Sequence, residues 1–361
     1  MTDKIPFSEE ELKIVGEIPG FFPGMPSTPI YDFPVAPKEA YIGLINKEPI
    51  WQITNVESTM FCPVIFPDNV ARAFMIEANP LPRENFGGKD MFGIEWQYVE
   101  TAQGSMVKPG TPFLKDANEW EEKLVWPDVN SWDWEGSAKA NKEYLSKGNA
   151  IMPWIMNGYY ERLISFMDFD NAVMALIDED QQDAVKALFE KLTDLYIQIV
   201  DKFIDYFNAD GFTVHDDWGS QRAPFFSPDT AREMIVPAMR RLTDHIHERG
   251  KIADFHSCGH LEMQAPCIIE AGWDIWDPQA MNDTHMLYEK YGDQIVIGVI
   301  PDKYPPDAGE EQQRAEAAKF ADKFCNPDKP AHLSHYGLFA LTHVYREELY
   351  RLSRIKFAGS L

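Results

Sequence analysis

The chain has 361 residues, of which 45% are hydrophobic and 25% are charged, so it is long enough for one large domain or two smaller ones. Its formal net charge of −25 argues against nucleic acid or anionic lipid as a partner, and against a substrate with many carboxylates. Four cysteines are too few for a disulfide framework, and we find neither a membrane-spanning apolar run nor a signal-peptide pattern, so we expect a cytoplasmic protein.

The first part of the chain has few patterns of regular structure. Residues 1–48 are predicted to form an N-terminal arm, because Gly16 to Pro37 is rich in proline and glycine and favours turns. From Pro49 onward, short apolar runs alternate with longer helical patterns. The predicted strands are Ile50–Val56, Met91–Tyr98, Ala150–Met156, Gly211–Asp217, Ile252–Ser257, Trp273–Asp277, Gln294–Ile300 and Ala331–Tyr336.

Several of these strands are continuous apolar runs, which is typical of parallel strands covered on both faces. The clearest predicted helices are Asp178 to Asn208, Ser227 to Arg249, Glu310 to Phe324 and Thr342 to Ile355. Eight strands that alternate with helices favour an α/β protein, with a single (β/α)8 TIM barrel over residues 49–361. A doubly wound sheet is the alternative, although no Gly-x-Gly-x-x-Gly motif follows the first strand.

One segment interrupts the alternation of strands and helices. Residues from about 99 to 149 contain proline, glycine and four tryptophans, so we predict an insertion after the second strand. The tryptophans are Trp120, Trp126, Trp132 and Trp134. They either contribute to an aromatic-binding pocket or pack the core of the insertion.

The most informative motif is His256-Ser257-Cys258, at the end of the predicted fifth strand. Side chains two residues apart on a strand point to the same face, so His256 and Cys258 would project together. Imidazole and thiolate are zinc ligands, so the pair could form half of a zinc site. The alternative interpretation is a buried histidine and a buried cysteine near a turn, without a metal. Asp254 lies on the same face and either orients His256 or forms an ordinary salt bridge.

Polar and aromatic side chains recur at the ends of the other predicted strands, where a TIM barrel places its active site. They are Trp51 and Asn55 on the first strand, Tyr159 after the third, His215, Asp216, Asp217 and Trp218 on the fourth, and His335 and Tyr336 on the eighth. Because neighbours on a regular strand point to opposite faces, we expect only one of Asp216 and Asp217 to face the site. This convergence favours the zinc interpretation of the His-x-Cys pair.

A zinc site needs at least one more ligand from elsewhere in the chain. His335 is the favoured third metal ligand, because it lies at the end of the eighth strand. Cys62 could approach the strand ends, whereas Cys267 and Cys325 lie in helical patterns that favour buried structural thiols. The set of His256, Cys258 and His335 would leave the fourth position open, as catalytic zinc requires.

Five stretches of the chain, taken in order, resemble the uroporphyrinogen decarboxylase superfamily. They are Pro49-Ile-Trp-Gln, Asp90-Met-Phe-Gly-Ile-Glu-Trp, Gly158-Tyr-Tyr-Glu-Arg-Leu, Asp216-Asp-Trp-Gly-Ser-Gln and Phe255-His-Ser-Cys-Gly-His. Within this superfamily, the His-x-Cys pair is similar to that of the corrinoid-dependent methyltransferases. The resemblance implies a (β/α)8 barrel and a zinc ion whose third ligand is a cysteine, at a place where this chain has His335.

The resemblance also implies an enzyme: a zinc-dependent methyltransferase that moves a methyl group between a small substrate and the cobalt of a separate corrinoid protein. The favoured substrate is an aryl methyl ether such as a methoxylated phenol, which makes the protein the methyltransferase I component of an O-demethylase. In this reading Asp217 or Tyr159 donates a proton. The residues expected to bind substrate are Trp51, Asn55, Asp216, Trp218 and Tyr336.

Three other functions stay open at this point. One is a methyl-corrinoid:thiol or methylamine-pathway methyltransferase, and another is a non-catalytic barrel that binds a corrinoid protein. The third is uroporphyrinogen decarboxylase itself, which is disfavoured because Trp51 to Glu57 lacks the arginines that the family uses near the first strand. The sequence leaves open the direction of transfer and the oligomeric state, a homodimer included.

Overall fold

The computed structural model describes residues 5–18, 27–54, 56–100, 104–108, 110, 112–305, 307–334 and 341–358. Within them the strands are β1 (Ile14–Ile18), β2 (Thr28–Tyr31), β3 (Ser58–Phe61), β4 (Gly88–Lys89), β5 (Glu95–Val99), β6 (Gly104–Val107), β7 (Ala150–Ile155), β8 (Gly211–His215), β9 (Ile252–His256), β10 (Ile275–Trp276), β11 (Val296–Val299) and β12 (His332–Leu333). The α-helices are α1 (Pro37–Ile45), α2 (Pro67–Ala71), α3 (Trp120–Lys123), α4 (Trp134–Asn141), α5 (Tyr159–Ala175), α6 (Gln182–Phe207), α7 (Pro228–Met234), α8 (Val236–Glu248), α9 (Ala265–Glu270), α10 (Thr284–Tyr291), α11 (Glu310–Phe324) and α12 (His343–Ala358).

The chain divides into two compact units. The first unit comprises residues 1–59, 148–150 and 275–361, and the second comprises residues 60–147 and 151–274. In the first unit, β10, β11 and β12 are parallel neighbours. In the second unit, β7, β8 and β9 are parallel neighbours. Parallel strands separated by helices confirm the predicted α/β class and fit a (β/α)8 barrel, while the bounds of the arm and of the insertion stay predictions.

The last six predicted strands are present as β7 to β12, each shorter than predicted within the described residues, although His335 and Tyr336 of the last one lie outside them. The first predicted strand is displaced, because β3 begins at Ser58 rather than at Ile50. The carboxylate of Glu57 accepts hydrogen bonds from the backbone N–H groups of Thr54 and Val56 at 2.9 and 3.2 Å. A side chain therefore satisfies backbone donors that a regular strand would pair with its neighbour.

The second predicted strand is wrong as a member of the parallel set. The segment instead contributes β5, which pairs antiparallel with β4 and β6 in a three-stranded sheet. In β5, Glu95 and Gln97 are exposed and Trp96 between them is buried. This alternation is typical of an antiparallel strand with one wet face, and it differs from the continuous apolar runs of β7 and β8.

The predicted helix from Ser227 to Arg249 is two helices in the structure, α7 and α8. The break falls just before Pro237, which has no backbone N–H to continue the hydrogen-bond ladder. The long predicted helix is present as α6, and it ends at Asn208 in the left-handed conformation (φ +53°). Among the described residues, none of the helices is both long and apolar enough to cross a membrane.

The tryptophans of the predicted insertion pack against other rings of the second unit. Trp132 and Trp134 stack with their centroids 5.6 Å apart, and Trp134 meets Phe203 of α6 edge to face. Trp120 and Trp126 form a second edge-to-face pair. These contacts agree with the packing alternative considered for the four tryptophans.

A buried ion pair stabilises the first unit. The carboxylate of Glu11 accepts hydrogen bonds from Arg354 Nε at 2.8 Å and from the Tyr350 hydroxyl at 2.7 Å. Burial alone would raise the pKa of Glu11, but the bonds from Arg354 and Tyr350 outweigh it and hold this pKa below its usual range. The charged form of Glu11 therefore stabilises the folded state.

We expect Glu11→Gln to lower the free energy of unfolding at pH 7 by about 2–3 kcal/mol, because Arg354 then keeps a buried charge without its carboxylate. A carboxylate whose pKa is depressed in the folded state stabilises the protein at pH values above the ordinary glutamate pKa of about 4.3. This stabilisation disappears as the pH falls through the lower folded-state pKa. The difference between variant and wild type should therefore shrink below about pH 4. Urea unfolding across pH 3–7 measures it, and Glu10→Gln, at an exposed neighbour, is the control.

Candidate metal centre

Four side chains with metal-ligating atoms meet where β8 and β9 end. They are His215, Asp217, His256 and Cys258, and their ligand atoms all lie within 4.8 Å of one another. His215 and His256 are the last residues of the two strands and lie opposite each other in the parallel register. Asp217 and Cys258 follow two residues later on each chain segment, so the cluster consists of two adjacent pairs with the same spacing.

Glycines allow the two chain segments to approach closely at this place. Gly259 follows Cys258 directly and has φ +107°, a conformation that side chains rarely adopt. A Cβ atom on Gly259 would lie 2.5 Å from the backbone carbon of Gly219, on the segment after β8. The turn that carries Cys258 therefore requires glycine for both its backbone conformation and its packing.

We expect Gly259→Ala to destabilise the second unit by about 2–4 kcal/mol and to weaken metal binding, because the backbone beside Cys258 must shift. Gly250→Ala is the matched control, since Gly250 also has a positive φ (+67°) but open space around it. We expect about 1 kcal/mol for the control. Equal losses in the two variants, measured by urea unfolding and zinc titration, would contradict a role for the close contact with Gly219.

Two of the distances between candidate ligand atoms match those in a metal site. Cys258 Sγ lies 3.6 Å from His256 Nε2, and His215 Nε2 lies 3.4 Å from Asp217 Oδ1. In a tetrahedral zinc site with the usual bond lengths, ligand atoms are about 3.3–3.7 Å apart. Two imidazoles, a carboxylate and a thiolate form a donor set that suits zinc. These four residues could hold a metal ion, and the set is compatible with zinc.

The charges in the cluster support one another. Burial alone would lower the pKa of His215, but the negative charges of Glu161 and Asp217 raise this pKa well above its usual value. Burial alone would raise the pKa of Asp217, yet the neighbouring His215 and His256 bring it below its usual range. Burial raises the pKa of the Cys258 thiol, which a bound cation would reverse. The Cys258 backbone N–H also donates to Asp217 Oδ1 at 2.6 Å.

A polar side and an apolar side surround the two histidines. On the polar side, Glu161 Oε2 lies 2.6 Å from His215 Nδ1, and Arg72 Nη1 donates to Glu161 Oε1 at 3.0 Å. On the apolar side, the ring of Trp154 lies 5.7 Å from that of His256 and 6.4 Å from that of His215. Cys62 and Met156 pack behind Trp154. The apolar side limits access of water to the imidazoles.

The structure places Asp216 away from the cluster that Asp217 joins. The carboxylate of Asp216 is fully buried and accepts hydrogen bonds from the backbone N–H groups of Tyr160 and Glu161 at 3.1 and 2.8 Å. It also accepts one from Trp218 Nε1 at 2.8 Å. Burial raises the pKa of Asp216 to about 7, although these donors oppose the shift. Asp216 thus caps the first turn of α5 and positions Trp218.

Two other residues with predicted roles are fully buried in the second unit. Trp218 packs against Phe226 and Phe255. The hydroxyl of Tyr159 donates to the carbonyl oxygen of Ala238 at 3.1 Å, and it lies 2.8 Å from the hydroxyl of Thr193. Burial raises the pKa of Tyr159 well above its usual value, so the hydroxyl keeps its proton.

The remaining predicted residues lie elsewhere. Trp51 belongs to the first unit, where its Nε1 donates to Glu57 at 2.8 Å and its ring stacks on Phe33 at 4.7 Å. Asn55, His335 and Tyr336 lie outside the described residues. The role of His335 as a metal ligand therefore stays a prediction.

His215 and Asp217 were not predicted as metal ligands from the sequence, and neither Glu161 nor Arg72 was predicted beside them. A signal for His215 was present, because His215-x-Asp217 repeats the spacing of His256-x-Cys258 on the preceding predicted strand. Glu161 and Arg72 come from the start of α5 and the end of α2, and no local pattern connects them with β8.

None of the curated proteins matches the chain. Among solved structures, a methyltransferase from Methanosarcina mazei is similar, with a TM-score of 0.58 and 16% sequence identity. The similarity covers 90% of this chain and 100% of the methyltransferase chain, and at this identity it shows a shared fold. The family model described as Uroporphyrinogen decarboxylase (URO-D) matches residues 139–333, which is more than half of the chain and includes all four candidate ligands. The chain therefore belongs to the uroporphyrinogen decarboxylase family.

Proposed function

We propose that this protein is a zinc-dependent methyltransferase that moves a methyl group between a small substrate and the cobalt of a separate corrinoid protein. The observation that carries the proposal is the cluster of His215, Asp217, His256 and Cys258, which suits zinc in a chain of this family. The fold shared with the Methanosarcina mazei methyltransferase supports methyl transfer as the reaction class.

The favoured substrate is an aryl methyl ether, such as a methoxylated phenol. In the proposed direction, the bond between the ether oxygen and the methyl carbon breaks, and the carbon forms a bond to Co(I), which becomes methyl-Co(III). The oxygen keeps the electron pair of the broken bond and then takes a proton. Zinc supplies Lewis-acid stabilisation of the negative charge on the oxygen or sulfur that loses or accepts the methyl group.

The chain's own residues hold the metal and shape its surroundings. Trp154 covers one side of the two imidazoles, and the ring of Phe74 lies 5.9 Å from that of Trp154, so aromatic side chains lie beside the centre. Asp217 acts as a ligand rather than as a proton donor, because its carboxylate lies against His215 and the Cys258 N–H. The hydroxyl of Tyr159 is bonded in the core, so the proton comes from solvent. The predicted substrate contacts by Trp51, Asn55, Asp216, Trp218 and Tyr336 remain part of the proposal.

A methyl-corrinoid:thiol transfer would use the same centre, with zinc lowering the pKa of the acceptor thiol. The two reactions differ in their small substrate and in direction. Both reactions require a partner protein that carries the corrinoid. In the assays, free cobalamin replaces this corrinoid protein.

The test combines metal analysis with two assays on the zinc-loaded protein. In the first, guaiacol and cob(I)alamin should yield catechol and methylcobalamin, which is followed by its visible absorption. In the second, methylcobalamin and 2-mercaptoethanol should react no faster than without protein. Methyl transfer only in the second assay would show that the small substrate is a thiol rather than an aryl methyl ether. Protein that binds no zinc and transfers no methyl group, or that decarboxylates uroporphyrinogen III, would overturn the proposal.

A further inference from the structure

The side of His215 that faces away from the cluster is held by an ordered pair of charged residues, Arg72 and Glu161. We propose that Glu161, fixed by Arg72, is a positioning residue that makes His215 an Nε2 ligand of the metal centre. This inference rests on the metal centre in the proposed function and identifies what sets its geometry.

Glu161 is anchored at three points. Its backbone N–H donates to Asp216 at 2.8 Å, which fixes the start of α5. One carboxylate oxygen accepts from Arg72 Nη1 at 3.0 Å, and the other lies 2.6 Å from His215 Nδ1. Because both oxygens are engaged by different partners, the carboxylate has one orientation towards His215.

Arg72 is itself restrained, so it can hold Glu161 in place. Its guanidinium lies 5.2 Å from the centre of the Trp96 ring, at a distance typical of cation–π contacts. Its Nη2 lies 3.4 Å from His215 Nδ1. A guanidinium can only donate, so this 3.4 Å contact would need a lone pair on Nδ1, and it competes with the closer carboxylate of Glu161 at 2.6 Å.

The two closest partners of His215 Nδ1 are Glu161 Oε2 at 2.6 Å and the carbonyl oxygen of Met156 at 3.2 Å, and both can only accept, so they favour an N–H at Nδ1 that donates to Glu161. When Nδ1 carries the proton of a neutral imidazole, the lone pair is on Nε2, which is the atom that lies 3.4 Å from Asp217. Carboxylates behind metal-bound histidines fix the tautomer and the ring orientation in this way. Their loss typically weakens metal binding by about 10–100-fold.

The test is zinc affinity, measured by competition with a chelator, together with the visible spectrum of the Co²⁺-loaded protein. We expect Glu161→Gln to weaken zinc binding about 10–100-fold and to shift the Co²⁺ bands, because an amide keeps the shape but loses the charge. Arg72→Met should also weaken zinc binding and shift the Co²⁺ bands. It provides the test if Glu161→Gln does not fold. Glu190→Gln is the matched control, since Glu190 pairs with Arg241 on the exposed surface and should leave both readouts unchanged.

The outcomes separate this inference from the proposed function. Wild-type affinity and spectrum in both Glu161→Gln and Arg72→Met, with loss of zinc in His215→Ala, would overturn the positioning role alone. A second outcome has two parts: the wild-type protein binds zinc but transfers no methyl group, and both variants bind zinc more weakly than wild type. This outcome would support the positioning role and overturn the proposed reaction. Full zinc affinity in His215→Ala, or a wild-type protein that binds no zinc, would overturn both.

Discussion

Replacing His256 or Cys258 by alanine is expected to weaken zinc binding by about a thousandfold or more and to abolish methyl transfer, because each substitution removes a ligand from a site of four. The effect should exceed that of any residue behind the ligands, such as Glu161. Zinc content after dialysis against a chelator, followed by competition titration, measures the loss.

The control for the lost thiol is Cys267→Ala. Cys267 is also buried in the second unit, but its Sγ donates to the carbonyl of Pro228 rather than to the cluster. This variant should keep wild-type zinc affinity. Full zinc loading of the double variant His256→Ala with Cys258→Ala would show that the metal, if any, is held elsewhere.

The largest effect on stability is expected from Arg162→Met. The guanidinium of Arg162 is fully buried between the carboxylates of Asp68 and Asp90, and its Nη1 lies 2.7 Å from Asp90 Oδ2. Removing the cation leaves two buried carboxylates together, so we expect a loss of about 3–5 kcal/mol in the free energy of unfolding. Urea unfolding of the variant and the wild type at pH 7 measures the difference.

The pH dependence of this loss follows from the two carboxylates. Burial already raises the pKa of Asp68, although the charge of Arg162 opposes it. Without Arg162 the folded-state pKa of Asp68 should rise further above the unfolded value of about 3.9, so the folded variant binds more protons than the unfolded chain. Its stability should therefore increase relative to wild type as the pH falls from 8 to 5.

Two further variants examine the cause of the destabilisation. Adding Asp68→Asn and Asp90→Asn to Arg162→Met removes the uncompensated charges and should restore part of the stability. Arg240→Met is the surface control, because Arg240 pairs with Asp244 where both side chains are half exposed, and it should cost less than about 1 kcal/mol. Equal losses in Arg162→Met and Arg240→Met would contradict the buried network as a source of stability.

The sequence was sufficient for β7, β8 and β9 because these strands are mostly apolar, apart from Asp254 in β9, and have polar residues at one end. Alternation along the strands also explains why Asp217 joins His256 and Cys258 while Asp216 turns to α5. By contrast, β5 lies in a separate antiparallel sheet, and the signal for this was the alternation of exposed and buried residues along it. The motif at Tyr159 was visible, but its position in the core depends on Thr193 and Ala238, far away in the chain.

The supporting residues of the centre could not be predicted from local patterns. Arg72 and Glu161 are 89 residues apart and have no spacing in common with β8. Their meeting at His215 depends on how α2 and the start of α5 pack beside the ends of β7 and β8, which only the tertiary structure provides. A local pattern predicts ligand pairs along one strand, whereas the charges that orient those ligands come from several elements.

The measurement that tests the metal centre most directly is the zinc X-ray absorption spectrum of the loaded wild-type protein. We predict one sulfur at about 2.3 Å, with the other ligands nitrogen or oxygen at about 2.0–2.1 Å and imidazole scattering from at least two histidines. The sulfur contribution should disappear in Cys258→Ala. A zinc ion bound by two sulfurs, or one whose spectrum does not change in Cys258→Ala, would contradict a centre formed by His215, Asp217, His256 and Cys258.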